Sequence, residues 1–298
     1  MKNASRFPLE ILAARSNPRF PRRDALRLLA GVSLLPLISV FGCGGSDDSA
    51  GTTLDEGGTG DGGATTADGG TTPTENAGTW ASGGTAAMTG KLSYPDPFTT
   101  GLGSCLRVAS TTEGPCTTAA DLVRQDISNG LRGLPVRLAL KFVDASCNAL
   151  PGVTVKIWHT NFEGSYSGAT PNNNMCLKQQ AYSSQNFFRG VQTTGTDGVV
   201  YFDTCFPGWY RGRAVHIHFQ VKSGSTTYRV SQLFFPEDVT EDVFATHGDY
   251  ASFGQPDTVV SDDNIMSGIP AAGRDALTVT VARMTDGAML ASKVLTVR

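Results

Sequence analysis

His216 and His218 stand two residues apart in Val215-His216-Ile217-His218-Phe219-Gln220-Val221, a run that alternates between apolar and polar side chains. In an extended strand successive side chains point to opposite faces, so 215, 217, 219 and 221 form a core face and the two imidazoles stand side by side on the other. One metal ion can bridge a pair so placed. The same pair left at a surface, or with each ring satisfied by its neighbours, does no chemistry. Two turns bear on the choice. Pro207-Gly208-Trp209-Tyr210-Arg211-Gly212-Arg213 presents a tyrosine six residues before His216, and Glu163-Gly164-Ser165-Tyr166-Ser167-Gly168 presents another after Ile157-Trp158-His159. Either tyrosine taken alone is a packing or hydrogen-bonding residue.

The elements that must position these residues are strands. Val136, Leu138, Leu140 and Phe142 alternate with Arg137, Ala139 and Lys141, and Val153, Val155 and Ile157 repeat the period of two. Turn signals separate the runs at Leu150-Pro151-Gly152, Thr196-Asp197-Gly198 and Phe206-Pro207-Gly208. Further strands are expected at 199–203, 214–222, 227–235, 277–283 and 291–297. Short helices are expected at 118–127 and, after Pro236, near 237–246. The fold class that follows is all-β, an antiparallel β-sandwich with few short helices.

The 298-residue chain reads as three unlike pieces. Residues 1–43 carry Arg22 and Arg23, then an apolar run broken by Pro36 and ending in Val40-Phe41-Gly42-Cys43. That run is short for a membrane span, which needs about 20 apolar residues, and suits an export signal of the twin-arginine type. Its end resembles a bacterial lipobox, in which Cys43 is acylated and anchors the chain in the cell envelope. Residues 44–95 read as a disordered linker: from 44 to 90 there are 14 Gly, 11 Thr, no Lys or Arg and one large aliphatic side chain, Leu54. Such a segment buries too little apolar surface to offset its ordering entropy. Residues 96–298 form the folded domain. Beyond residue 43 the chain holds 17 basic and 25 acidic side chains, a net charge of −8. That balance excludes phosphate-backbone binding, and with it nucleic acid as a partner.

Together the histidine strand and the two tyrosine turns resemble the intradiol ring-cleavage dioxygenases, the family of catechol 1,2-dioxygenase and protocatechuate 3,4-dioxygenase. The likeness runs from Leu150-Pro151-Gly152 to Tyr166-Ser167-Gly168, through Phe188-Arg189-Gly190-Val191-Gln192, to Pro207-Gly208-Trp209-Tyr210 and His216-Ile217-His218. Weaker agreement reaches Thr112-Glu113-Gly114-Pro115 upstream and Ser231-Gln232-Leu233 downstream. It is strongest with the short, secreted, single-domain members. The resemblance implies a mononuclear non-haem Fe(III) site with Tyr166, Tyr210, His216 and His218 as ligands. It implies that Tyr210 leaves the metal when substrate binds and takes up a proton, that Arg213 stabilises negative charge on the substrate ring, and that Gln232 polarises the substrate. It also implies an aromatic diol and O2 as substrates. Phenolate is a hard anionic donor matched to a ferric ion. The plain alternatives are a surface salt bridge for Arg213 and a cross-strand hydrogen bond for Gln232.

The Tyr210–His216 interval is shorter than in the cytoplasmic relatives, which implies a more open pocket mouth. His159 and His247 are expected to be structural. Beyond Cys43 there are five cysteines, an odd number for an exported domain. Cys105 with Cys147 resembles a pairing in secreted relatives, Cys176 with Cys205 is the second expected pair, and Cys116 is then unpaired. Two function classes stand: a ferric intradiol dioxygenase, or an exported β-sandwich that binds a metal or ligand without turnover.

Overall fold

The computed structural model describes residues 78–298, apart from 103, 104 and 120. The expected export signal, Cys43 and the first part of the expected linker therefore lie outside the described residues. Eight strands form two four-stranded sheets. The first has the order β4-β1-β8-β7, from β1 (Pro135–Val143), β4 (Val199–Cys205), β7 (Thr280–Arg283) and β8 (Met289–Thr296). The second has the order β3-β2-β5-β6, from β2 (Thr154–Trp158), β3 (Arg189–Thr193), β5 (His216–Ser223) and β6 (Thr226–Phe234). The all-β sandwich is as expected. It departs from a purely antiparallel arrangement at one ladder, because β1 and β8 run parallel from Val136↔Met289 to Val143↔Thr296.

The core follows from the period of two. Val136, Leu138, Leu140 and Phe142 of β1 face Val155 and Ile157 of β2 and Ile217, Phe219 and Val221 of β5, all fully buried in one cluster. Removing such side chains from water is the main stabilising term for a fold of this kind, about 25 cal/mol per Å² of apolar surface.

Three expectations need correction. The described residues of 118–127 form no helix. The segment instead supplies main-chain hydrogen bonds to the edge strands β3 and β4, with Arg124 N donating to Val191 O at 3.1 Å and Ile127 N to Asp203 O at 2.9 Å. Exposed strand edges carry unpaired donors and acceptors, and pairing them outweighs a weak helical pattern. The helix after Pro236 does form, as α2 (Glu237–Thr246) following the four-residue α1 (Asn173–Cys176); a third short helix, α3, spans Ala271–Asp275.

The second correction concerns where order begins. Residues 78–95, expected in the linker, pack on the domain. Tyr94 and Phe98 cover Ala139, Met284 and Leu290 on the outer face of the first sheet. Trp80 Nε1 donates to Asp242 Oδ2 at 2.7 Å, under the Arg283 guanidinium at 4.1 Å from its ring. A few aromatic anchors order a segment whose composition alone would leave it free.

The third correction is the second disulfide. Cys105 and Cys147 are bonded, but Cys116 pairs with Cys176, and Cys205 is a free, buried thiol. Cys205 ends β4 among Phe187 and Phe188, whereas Cys176 ends α1 against Cys116 and Tyr166. Connectivity depends on such placement, which spacing does not encode.

Candidate metal centre

On β5 the two faces divide as the alternation requires. Ile217 and Phe219 enter the core, and His216 and His218 turn to the opposite face, where loops cover both rings almost completely. β2 and β6 flank the strand. Trp158 of β2 pairs with His218 and stacks on its ring at 4.8 Å with 7° between planes, and Gln232 of β6 pairs with His218 from the other side.

The tyrosine turns are locked to each other. Gly208 N donates to Asn161 O at 2.9 Å, and Thr160 Oγ1 donates to Gly208 O at 2.6 Å. Gly164 has φ +78°, and a Cβ there would overlap the Trp209 carbonyl oxygen. Only glycine meets both conditions at little cost, which explains the glycine two residues before Tyr166. Tyr166 itself is held by its main-chain N–H, which donates to Cys176 O at 3.0 Å.

The result is a tight convergence of four side-chain atoms. His216 Nε2 lies 3.1 Å from His218 Nε2, 3.3 Å from Tyr166 Oη and 3.2 Å from Tyr210 Oη. Tyr166 Oη lies 3.1 Å from His218 Nε2 and 3.4 Å from Tyr210 Oη. These contacts cannot all be hydrogen bonds. His216 Nδ1 sits 2.6 Å from Ala214 O, so the ring proton is on Nδ1 and Nε2 is a bare lone pair. At most three protons, two phenolic and one on His218, then serve five contacts. The buried Nδ1 of His218 has no partner among the described residues.

Charge is expelled from this group as it stands. Burial pulls His216 down to about 3, helped by the Arg213 charge, and holds His218 well below the usual histidine range. Burial, reinforced by Tyr210, pushes Tyr166 well above the usual phenol range, and Tyr210 is raised for the same first reason despite the Arg213 charge. Neutral imidazoles and lone pairs turned on one point are what a cation requires. Donors bound to one ion at roughly 2.0–2.2 Å, at right to tetrahedral angles, lie about 2.8–3.6 Å apart. The observed separations fall within that interval, so the four side chains fit a single metal ion. Among the described residues no three His, Cys, Asp or Glu side chains converge in this way, which leaves the two phenols to complete the donor set.

Beside the four atoms opens a cavity of about 380 Å³ whose lining includes Tyr166, Tyr210, His218, Arg213 and the Gly114–Cys116 loop. Arg213 precedes β5, in the turn rather than the strand. Its Nε donates to Asp263 Oδ2 at 2.8 Å, its Nη2 to Gln232 Oε1, and its Nη1 to Tyr210 Oη at 3.4 Å. Gln232 is fully buried, and its amide donates to Thr112 O at 3.4 Å.

The sequence profile of the family described as Dioxygenase (Dioxygenase_C) matches residues 111–266, just over half of the chain. The chain belongs to the intradiol ring-cleavage dioxygenases. An intradiol ring-cleavage dioxygenase from Tetranychus urticae is 23% identical, with 65% of this chain and 95% of that one aligned and a TM-score of 0.57. A dioxygenase domain of a carbohydrate-binding fusion from Streptomyces sp. SirexAA-E is 22% identical over 64% of this chain and 99% of that one, with a TM-score of 0.46. Catechol 1,2-dioxygenase from Pseudomonas arvilla C-1 is 19% identical over 62% and 60%, with a TM-score of 0.42. No curated protein matches in sequence.

In this dioxygenase the structure brings Tyr166, Tyr210, His216, His218, Arg213 and Gln232 to one place. His159 and His247 stay outside it. His159 is bonded to Thr160 O and Thr204 Oγ1, each at 2.8 Å, and His247 Nε2 to Ala81 O at 2.9 Å. Sequence reasoning missed Asp263, the fully buried carboxylate that fixes Arg213 and also accepts from Ala214 N at 2.9 Å. It also missed the pocket-wall role of Cys116, paired with Cys176. Asp263 sits in a polar loop with no periodicity, so only the third dimension connects it to Arg213.

Proposed function

We propose that this dioxygenase holds one ferric ion at Tyr166, Tyr210, His216 and His218 and cleaves a catechol-type diol between its two hydroxyl-bearing carbons. One O2 is consumed and one oxygen atom enters each new carboxyl group, so the product is a muconate-type diacid and no atom is lost. The observation that carries this reading is the convergence of two phenol oxygens and two imidazole nitrogens within 3.1–3.4 Å, with neither carboxylate nor thiolate among them. Two phenolates favour trivalent over divalent iron. When bound, the ion supplies Lewis acidity, lowering the pKa of the phenol and diol oxygens it holds.

The remaining work belongs to the chain. Tyr210 is the less buried of the two phenols and has Arg213 Nη1 at 3.4 Å, so a fixed cation faces the oxygen that takes up a diol proton. Arg213 is immobilised by Asp263, and a preorganised, largely buried guanidinium stabilises negative charge developing on a ring. Pro115, the Cys116–Cys176 disulfide and Ile265 form the apolar part of the cavity lining, against which the diol ring would pack. The export and lipid-anchor reading of residues 1–43 is proposed with this function, and two disulfides, which persist in oxidising compartments, support it.

The test is to load the purified protein with Fe(III), record the visible spectrum and follow O2 uptake with catechol. A tyrosinate-to-iron absorption band, one O2 per diol and both labelled atoms of 18O2 in the diacid are expected. A protein that takes up no iron, shows no band and consumes no O2 overturns the reading.

A further inference from the structure

The cavity is asymmetric in charge. Its lining contains no aspartate or glutamate and two cationic side chains, Arg213 and Lys178. Arg213 is offset by the buried carboxylate of Asp263 at 2.8 Å. Lys178 has no salt-bridge partner: among the described residues no carboxylate oxygen lies within 4.0 Å of its Nζ, although the charge of nearby Glu163 favours its protonated form. The neighbouring acid, Glu163, gives Lys178 its main-chain oxygen and turns its carboxylate toward Tyr182 Oη, at 2.8 Å.

Lys178 is nonetheless a placed residue. Its main-chain N–H donates to Ser165 Oγ at 2.9 Å, which ties it to the segment that carries Tyr166. Its ammonium lies over Gly164, where a Cβ would approach Nζ to 3.3 Å, so the glycine that interlocks the tyrosine turns also seats the cation. Glu163 O accepts one N–H of the ammonium, which also lies 5.8 Å from the centroid of the Phe253 ring, and three donors leave at least one for a ligand. Lys178 is solvent-exposed, as is Met175 beside it, while His218 and Tyr166 at the other end are buried. The cavity thus runs from a metal-binding floor to a cationic, partly apolar mouth. Its volume of about 380 Å³ lies in the range of clefts that bury drug-sized ligands, roughly 300–1,000 Å³, and exceeds what a bare benzenediol fills.

We infer that the substrate is a catechol bearing an extended substituent that ends in an anion, with the diol at the floor and the anion on Lys178 at the mouth. This inference rests on the proposed function of the same site. Lys178 acts as a specificity residue: it raises affinity for the acid without taking part in ring cleavage. A charge-assisted contact at a half-open mouth is screened by solvent, so its effect is modest and salt-dependent.

The test measures equilibrium binding to the iron-loaded protein without O2, through the visible band. The probes are 3,4-dihydroxycinnamate, its methyl ester and unsubstituted catechol, each with the wild type, Lys178→Met and Lys178→Arg. The acid is expected to bind about five- to tenfold more tightly than the ester in the wild type. That preference disappears in Lys178→Met, persists in Lys178→Arg and shrinks at high salt, while the Kd for unsubstituted catechol stays within about twofold throughout. Equal binding of acid and ester by the wild type, or a preference retained by Lys178→Met, overturns the inference and leaves the proposed function standing. Failure of all three diols, catechol included, to perturb the band overturns the proposed function and this inference with it.

Discussion

Each sheet of the sandwich carries a buried polar cluster, and the two are built differently. On the first sheet Asp203, 1% exposed, faces Arg137 across the β1–β4 ladder, with Arg137 Nε 2.5 Å from one oxygen and Lys91 Nζ 3.2 Å from the other. Gln125 adds a donor at 3.3 Å. Both carboxylate oxygens there meet donors and the anion meets cations. On the second sheet Tyr166, Tyr210, His216 and His218 turn their acceptors on one another, with no ionised partner inside the group. Burial and polarity are common to both. What separates a functional cluster from a structural one is the imbalance, since a buried polar group left unsatisfied persists only if something else completes it.

The contrast can be broken from either side. Asp203→Ala leaves the largely buried Arg137 guanidinium without its anion, and removing one partner of a buried pair costs about 3–5 kcal/mol. The urea midpoint should fall accordingly, with iron per folded protein unchanged. Lost iron at retained stability would mean that the two clusters are not independent. Tyr166→Phe should do the reverse. Deleting one oxygen from the donor set is expected to weaken iron binding by about 100-fold or more, about 2.7 kcal/mol, and to erase most of the visible band. The metal-free fold should be little affected, because the hydroxyl's hydrogen-bond contacts are all with the other members of the group; equal iron content in mutant and wild type would remove Tyr166 from the ligand set.

The same contrast explains what could be read from sequence. The histidine face of β5 was legible because period two is a property of neighbouring residues, and apolar 215, 217, 219 and 221 fix which way 216 and 218 point. The tyrosine turns were legible through their glycines, one of which the structure requires at Gly164 for a positive φ and a close approach to Trp209. Edge pairing was not legible. β3 contains Gly190, where a Cβ would collide with Ile127, and 118–127 looks weakly helical until the free edges of β3 and β4 are known. Cys116 and Cys205 exchange roles for the same reason: spacing does not separate them, and only their placement decides that one meets Cys176 and the other meets Phe187 and Phe188. Residues 78–95 have the composition of a linker, while a few anchors, Trp80 and Tyr94 among them, decide their state.

Asp263 joins the two kinds of chemistry, and it sets the smallest and most discriminating expectation. It is a structural acceptor, holding Ala214 N and Ile265 N at 2.9 Å each, and it is also the anion that fixes Arg213 beside Tyr210. Asparagine keeps the shape and one acceptor oxygen but loses the charge. If Asp263 is a positioning residue for Arg213, Asp263→Asn should lower kcat by about tenfold, with KM for catechol within about twofold and iron content unchanged, because the ligand set is untouched. Arg213 would still carry its charge but without the partner that aims it, so the loss should appear in the chemical step rather than in binding. A variant with normal kcat and lowered thermal stability would make Asp263 a loop anchor only and place it with Asp203. A variant that loses iron would show that the Arg213 side of the cavity helps to hold the metal, and the division between ligands and charge-stabilising residues would have to be redrawn.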